Sequence, residues 1–457
     1  MYHRPSYNYM HPLLLCLRSR LPRWPLISAV GRLSSLATAD RKDTPLSLVV
    51  FHRHGDRSPL KGHTPDEEFN PPESPCGGAN PETQKCDGLP RPKEEAVSTA
   101  EEFWREKLVS PEDVEHLDKL YPLQVSPEEA VPPDEVSAPF GCLTSLGLRQ
   151  LQDRGRRLRE RYSHCDLSNA RLQAFSTNYR RTQLSAQGFL DGLLDGRGGV
   201  PVVVMPRSQN FLNRWESRGR EMAELMLSVE ADSYFRDREE TVGGALKRQL
   251  HALDPALFPL PPGGKFRWMM AADYFMSARA RGLRVAPELD ALGTDTIRQL
   301  TWRFGRFYGK REMLRMMAGP LLEHVVQCAM TSSSAGVYDS EETRVSPAAG
   351  GEAAKVSSVV SSSCHDVTIL ALLYAMQSDL IDDEDYWPPY GSTIIFAVSE
   401  TRGQEQGVVD YDAEGNRDRN IVLTITVDDE PLRSRLLDGR DVVPLSVFRA
   451  SLQEFLR

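Results

Sequence analysis

Apolar residues come in short runs along this chain, and several of the runs end in polar or titratable clusters. The first run, Leu46, Leu48, Val49, Val50 and Phe51, predicts a strand buried in a sheet covered on both faces. It breaks abruptly into Arg53-His54-Gly55-Asp56-Arg57-Ser58-Pro59. Gly55 permits a turn where a Cβ would clash, and Pro59 ends regular pairing. Residues 61–140 are rich in proline and acidic side chains. That is too long for an ordinary connection, so the segment is functional or partly disordered, with a helix-like piece over 94–108. Over 141–162, Thr144 predicts an N-cap, and Leu151, Gly155, Leu158 and Tyr162 share one helical face. Arg154, Arg156, Arg157, Arg159 and Arg161 then read as its solvated face.

A second strand-to-helix switch covers 172–194, with Thr177 or Asn178 as cap and Leu184, Phe189 and Leu193 among the apolar positions. Arg180 and Arg181 fall in the first turn of that helix, where cations oppose the helix dipole by ~0.3–1 kcal/mol. An anion held at that end would resolve the conflict. Residues 196–204 predict a turn and another strand, and 206–330 a helical insertion covering the sheet, its aromatics and methionines reading as core. The Ser/Gly/Ala/Glu-rich stretch 331–354 reads as a flexible surface insertion. Residues 356–363 then predict a strand that ends in Cys364-His365-Asp366, with a buried helix over 368–376. An Asp ahead of an apolar helix is most simply a cap. Here, however, it repeats the earlier order of strand end, titratable residues and helix start. Residues 392–398 and 420–427 alternate like late antiparallel strands, and 445–456 predict a short helix behind Pro444.

Chemistry enters with the polar clusters. Two guanidiniums and an imidazole within five residues, at the carboxyl end of a buried strand, lie where open α/β sheets bind ligands. Arg53 and Arg57 offer rigid donor forks suited to a phosphate dianion, and His54 is available as a nucleophile near neutral pH. At 457 residues the chain exceeds the usual single core, so one large domain with an insertion, or two domains, is expected. With 40% hydrophobic and 26% charged residues the composition is that of a soluble globular enzyme. A net charge of -9 argues against nucleic acid as a general partner. No apolar run approaches the ~20 residues that span a bilayer. Residues 1–39 carry no Asp or Glu but do carry Arg4, Arg18, Arg20, Arg23 and Arg32. That is the composition of a mitochondrial transit peptide, favoured over a secretory signal because arginines interrupt the short apolar run at 13–17. Of the cysteines, Cys16, Cys76, Cys86, Cys142, Cys165, Cys328 and Cys364, none has zinc-site spacing. Cys76 and Cys86 bracket a Pro/Gly-rich loop, and whether they pair is left open.

An isolated RHG triplet would be a basic turn. Here R-H-G-x-R-x-P at 53–59 is followed by G-x-L-T-x-x-G-x-x-Q from Gly141 to Gln150. S-T-x-x-x-R-T from Ser176 to Thr182 and His365-Asp366 complete the series. In this order the blocks resemble the histidine acid phosphatase family over most of residues 46–457. The resemblance implies an α/β fold with a mixed central sheet, helices on both faces and a smaller, mostly helical insertion domain. Residues 46–205 and 355–457 would form the catalytic part and 206–330 the insertion. It implies hydrolysis of a phosphate monoester through a phosphohistidine on His54. Arg53, Arg57, Arg181 and a protonated His365 would bind the phosphoryl oxygens, and Asp366 would serve as general acid. No metal or cofactor is called for, because four cationic groups do what Mg²⁺ does elsewhere. The leader, PFGCLT, STN and WPPY (387–390) point within the family to the branch acting on lysophosphatidic acid in mitochondria. The alternatives are a phytase-like inositol phosphate phosphatase, a phosphoglycerate-type mutase and a catalytically silent phospholigand-binding protein. Phe175 stands where many relatives carry Arg, and His52 ahead of Arg53 is unusual.

Overall fold

Every residue of β1 (Ser47–Arg53) is buried, as an apolar run covered on both faces requires. Its side chains alternate between two layers. Val49 and Phe51 face a core shared with the helical insertion, and Leu48 and Val50 face a second core built with two helices, Ser145–Arg161 and Arg180–Leu194. The structure, a computed structural model, describes residues 45–60, 100–126, 132–167, 170–260, 265–335, 354–401 and 421–455. The arginine-rich leader, Cys76, Cys86 and residues 336–353 of the insertion expected to be flexible lie outside the described residues.

After β1 come α1 (Ala100–Arg105), α2 (Pro111–Leu120), β2 (Leu123–Gln124), α3 (Pro133–Val136) and α4 (Ser145–Arg161). Next are β3 (Cys165–Asp166), β4 (Arg171–Ser176), α5 (Arg180–Leu194) and β5 (Val202–Val204). The insertion is helical throughout its main elements. These are α6 (Arg214–Ser217), α7 (Gly219–Glu230), α8 (Ser233–Arg238), α9 (Gly244–Leu253), α10 (Trp268–Arg281), α11 (Pro287–Tyr308) and α12 (Arg311–Ala335). The chain returns through β6 (Ala354–Lys355) to β7 (Ser358–Cys364) and α13 (Asp366–Ala375). It closes with β8 (Thr393–Glu400), β9 (Ile421–Val427), β10 (Glu430–Pro431), β11 (Val442–Pro444) and α14 (Leu445–Ser451).

Among the described residues the main sheet has nine strands, in the order β10-β9-β8-β1-β7-β4-β5-β2, with β11 also on β9. It is mixed. β1, β7, β4, β5 and β2 run parallel, whereas β8, β9, β10 and β11 are antiparallel to their neighbours. Parallel pairing aligns the carboxyl ends of β1, β7 and β4, with Arg53 opposite Cys364 and Ser176 opposite Ser363. The three polar clusters of the sequence therefore arrive at one edge.

Several boundaries differ from the sequence expectations. α12 continues through Thr331 to Ala335, so the first five residues of the predicted flexible insertion are helical. α14 ends at Ser451, short of 456. Arg154 is not simply solvated: it lies 3.0 Å from Asp428 and 3.2 Å from Asp429 of the β9–β10 turn. Neither Thr177 nor Asn178 caps α5; the N-cap position is Tyr179, with no side-chain cap bond of its own.

Candidate active site

The loop after β1 makes its turn because two glycines let two main chains touch. A Cβ on Gly55 would sit 2.2 Å from the Gly147 carbonyl oxygen at the start of α4, and one on Gly147 would sit 2.1 Å from the Asp56 oxygen. Thr144 caps α4, accepting from the Gly147 amide at 3.2 Å while its hydroxyl donates to Asp56 Oδ2 at 2.6 Å. Gln150 Oε1 accepts from the Asp56 amide at 2.8 Å. The glycine, threonine and glutamine of the second sequence block thus shape the first.

Arg53, His54, Arg57, Arg181, His365 and Asp366 come together at this edge, none more than 9% exposed. His54 is therefore not the surface-facing imidazole its strand-end position suggests; it is 2% exposed, and the loop ahead of β8 packs on it through Tyr390 and Gly391. The His54 and His365 rings lie 5.7 Å apart, and Tyr390 lies 5.8 Å from His54. His54 Nδ1 is 2.8 Å from the Gly55 carbonyl, which can only accept, so Nδ1 carries the proton and Nε2 keeps the lone pair. His365 Nε2 lies 3.0 Å from Thr177 Oγ1, which lies 2.8 Å from Thr182 Oγ1, whose hydroxyl donates to the Tyr179 carbonyl at 2.8 Å. That carbonyl sets the direction of the chain, so His365 Nε2–H donates to Thr177.

Each arginine has a carboxylate beside it. Arg53 Nη2 is 2.8 Å from Asp366 Oδ2, Arg57 Nη2 is 2.7 Å from Asp273 Oδ1, and Arg181 Nη1 is 3.3 Å from Asp134 Oδ2. The buried Nε atoms of all three have no hydrogen-bond partner among the described residues. They are uncommitted donors suited to an anion. Asp134 also supplies the anion that the sequence demanded at the start of α5, accepting from the Arg180 and Arg181 amides at 2.7 and 2.9 Å. Arg180 itself turns away to Asp118.

Electrostatics correct one expectation and decide another. Burial, reinforced by Arg181, Arg53 and Arg57, pushes His54 well below its usual range, so it is neutral. Burial and Arg181 do the same to His365, outweighing Asp366, so in the free protein it is not the protonated ligand expected from the sequence. Burial alone would raise the Asp366 carboxyl. Arg53, then Arg57 and His365, outweigh it and hold the group below the usual carboxylate range. Asp366 is not the N-cap of α13 either; His365 holds that position, and Asp366 Oδ1 accepts from the Val367 amide at 2.8 Å.

Several contributing residues were not picked out in the sequence. Trp387 Nε1 donates to Asp366 Oδ2 at 3.1 Å, and the Tyr390 ring lies 4.2 Å from the Arg53 guanidinium, which also donates to the Pro388 carbonyl. WPPY, quoted from the sequence only as a cue to a branch, thus lines the site. Asp134 and Asp273 lie outside the motifs in sequence; the unmet anion demand at Arg180 and Arg181 hinted at the first, and nothing hinted at the second. Phe175 turns to Phe211 and His324, in apolar contact.

Residues 46–225 match the sequence profile described as Histidine phosphatase superfamily (branch 2). No curated protein matched the chain. Among solved structures, it is similar to the multiple inositol polyphosphate phosphatase of Bifidobacterium longum in complex with inositol hexasulfate. That similarity is 12% identity over 92% of this chain and 94% of the other, with a TM-score of 0.50. It is also similar to the phytase of Citrobacter braakii, at 13% identity over 90% and 98% of the two chains and a TM-score of 0.49. The first likeness bears on the fold alone and agrees with a mixed sheet flanked by helices. The profile match spans Arg53, His54, Arg57 and Arg181 and ends ahead of His365 and Asp366, so over that stretch the chain is similar to the histidine phosphatase superfamily, branch 2.

Proposed function

We propose that the protein hydrolyses phosphate monoesters through a phosphohistidine on His54. The phosphoryl group enters against Arg53, Arg57 and Arg181, whose spare N–H donors take its oxygens. His54 Nε2 forms the P–N bond as the ester P–O bond breaks, and the leaving alkoxide takes a proton. Water then attacks phosphorus, the P–N bond breaks, and inorganic phosphate leaves with His54 restored. Preorganised donors of this kind contribute ~3–4 kcal/mol each to a transition state. The observation that carries this reading is a buried, neutral imidazole with Nε2 free, set among three guanidiniums with uncommitted donors.

Asp366 gains its proton when substrate arrives: the phosphoryl oxygens compete for Arg53 and bring negative charge, both of which raise the carboxyl. The same charge favours protonation of His365 as a ligand. The substrate in this reading carries a single phosphate, as lysophosphatidic acid does. The support is charge balance, because Asp366, Asp273 and Asp134 offset the three arginines and leave little spare cation for a polyphosphate. Tyr179 and Tyr390 add aromatic walls beside the phosphate position. Mitochondrial targeting by the leader belongs to the same reading.

The test is turnover of p-nitrophenyl phosphate, lysophosphatidic acid, glycerol 3-phosphate and phytate by wild-type protein and His54→Ala. The variant should lose kcat by several orders of magnitude on every substrate, with folding checked by melting because His54 is buried. Substantial kcat in folded His54→Ala sinks the covalent route, and preference for phytate moves the substrate to the inositol phosphates.

A further inference from the structure

We propose that α10 of the helical insertion is a brace that aims the phosphate-binding loop, with Asp273 the positioning residue for Arg57. The inference rests on the reading of Arg57 as a phosphate ligand. Most of α10 is ordinary core: Trp268, Ala271, Ala272, Phe275 and Ala278 are buried. Three polar side chains break that pattern at four-residue spacing, Asp273, Ser277 and Arg281, and such spacing stacks them on one face. Each meets a different part of the site. Asp273 Oδ1 accepts from Arg57 Nη2 at 2.7 Å, and its Oδ2 accepts from Arg57 Nη1 at 3.4 Å and from the Leu60 amide at 2.8 Å. Ser277 Oγ lies 3.2 Å from the Tyr390 hydroxyl, and Tyr390 is the ring stacked on Arg53. Arg281 pairs with Asp56 Oδ2 and lies over the Trp104 ring at 5.0 Å.

Stability alone is a poor reason for such a pair. Asp273 is 1% exposed, and the desolvation cost of a buried ion pair often cancels its attraction. What a two-oxygen grip on a planar guanidinium fixes is rotation. Arg57 Nη1 also donates to the Ser58 carbonyl at 3.0 Å, so the in-plane edge is committed and Nε is presented in one direction. The Leu60 contact holds the far end of the same loop. Displacing a transition-state contact by ~1 Å costs on the order of 100-fold, so a helix outside the sequence motifs acts on phosphate affinity.

Inorganic phosphate binding, measured by calorimetry on the full chain, reads this directly, with p-nitrophenyl phosphate kinetics alongside. Asp273→Asn keeps the shape but loses the charge and one acceptor; it should weaken phosphate by about tenfold and raise KM in parallel. Added to Arg57→Ala it should change phosphate Kd less than about twofold, because the two residues act as one unit. Phe275→Leu, on the core face of the same helix, should lower the melting temperature and leave phosphate affinity within about twofold. Arg281→Gln, should Asp273→Asn not fold, should weaken phosphate in the same direction. Unchanged phosphate affinity in folded Asp273→Asn, or in Arg281→Gln if that variant is the one measured, overturns the brace. So do losses that multiply in the double variant. If Arg57→Ala binds phosphate like wild type, the reading of Arg57 fails, and the brace fails with it.

Discussion

Which nitrogen of His54 holds the lone pair is decided by one main-chain carbonyl, that of Gly55. Asp366 faces a sharper conflict. Its two oxygens meet Arg53, Trp387 and the Val367 amide, all of which favour the carboxylate, yet a general acid must carry a proton. The leaving group exposes the answer. Asp366→Asn should slow alkyl phosphates far more than p-nitrophenyl phosphate, whose phenolate leaves unaided. Equal loss of kcat on both would make Asp366 an orienting residue for Arg53 and His365. His52 supplies a separate, testable quantity. Its ring is fully buried and stacked 4.9 Å from Phe189, neither nitrogen has a partner among the described residues, and burial pushes its pKa down to about 3. The unfolded chain takes up this proton below about pH 6.5 and the folded chain does not until about pH 3. This depressed group therefore lowers stability as pH falls through that window, by ~1.4 kcal/mol per pH unit. His52→Leu should flatten the loss of melting temperature between pH 7 and 5; parallel curves for the two proteins would refute it. Burial of neutral His54 and His365 adds in the same direction.

At the scale of elements, α4 and α5 approach so closely that two glycines become obligatory. A Cβ on Gly155 would lie 2.0 Å from the Phe189 carbonyl oxygen, and one on Gly192 would lie 1.9 Å from that of Gln152. Ala is the better helix former by ~1 kcal/mol. Overpacking against rigid backbone costs ~1–3 kcal/mol and wins. Gly192→Ala should therefore lower the urea midpoint, and because α5 carries Arg181 at its first turn, KM should rise as well. An unchanged midpoint would mean that the helices separate without strain.

For the whole molecule, the charge that would meet a phosphate comes from side chains delivered by the sheet's parallel half and α5, with the insertion gripping Arg57 through Asp273. Among the described residues no group of three or more His, Cys, Asp and Glu is placed to hold a metal ion, and no helix is long and apolar enough to cross a membrane. Activity should survive EDTA undiminished, because guanidiniums provide the electrostatic stabilisation. Loss on chelation with recovery on adding a divalent cation would contradict that.

Sequence by itself determined the strands with polar clusters at their ends, while the resemblance of its motifs to a known family implied the mixed α/β class and the set of six residues that meet there. The strands were legible because apolar runs and strand-end chemistry are local patterns, and parallel strands align their carboxyl ends once they pair. Only the tertiary structure decided the burial of His54, the neutral state of His365, the ionised Asp366 and the partners of each arginine. Asp134 lies 47 residues from Arg181, and Asp273 lies 216 from Arg57. Pairings at such distances leave no period or spacing in the chain. A titratable group's charge state depends on everything folded around it, which no stretch of sequence contains.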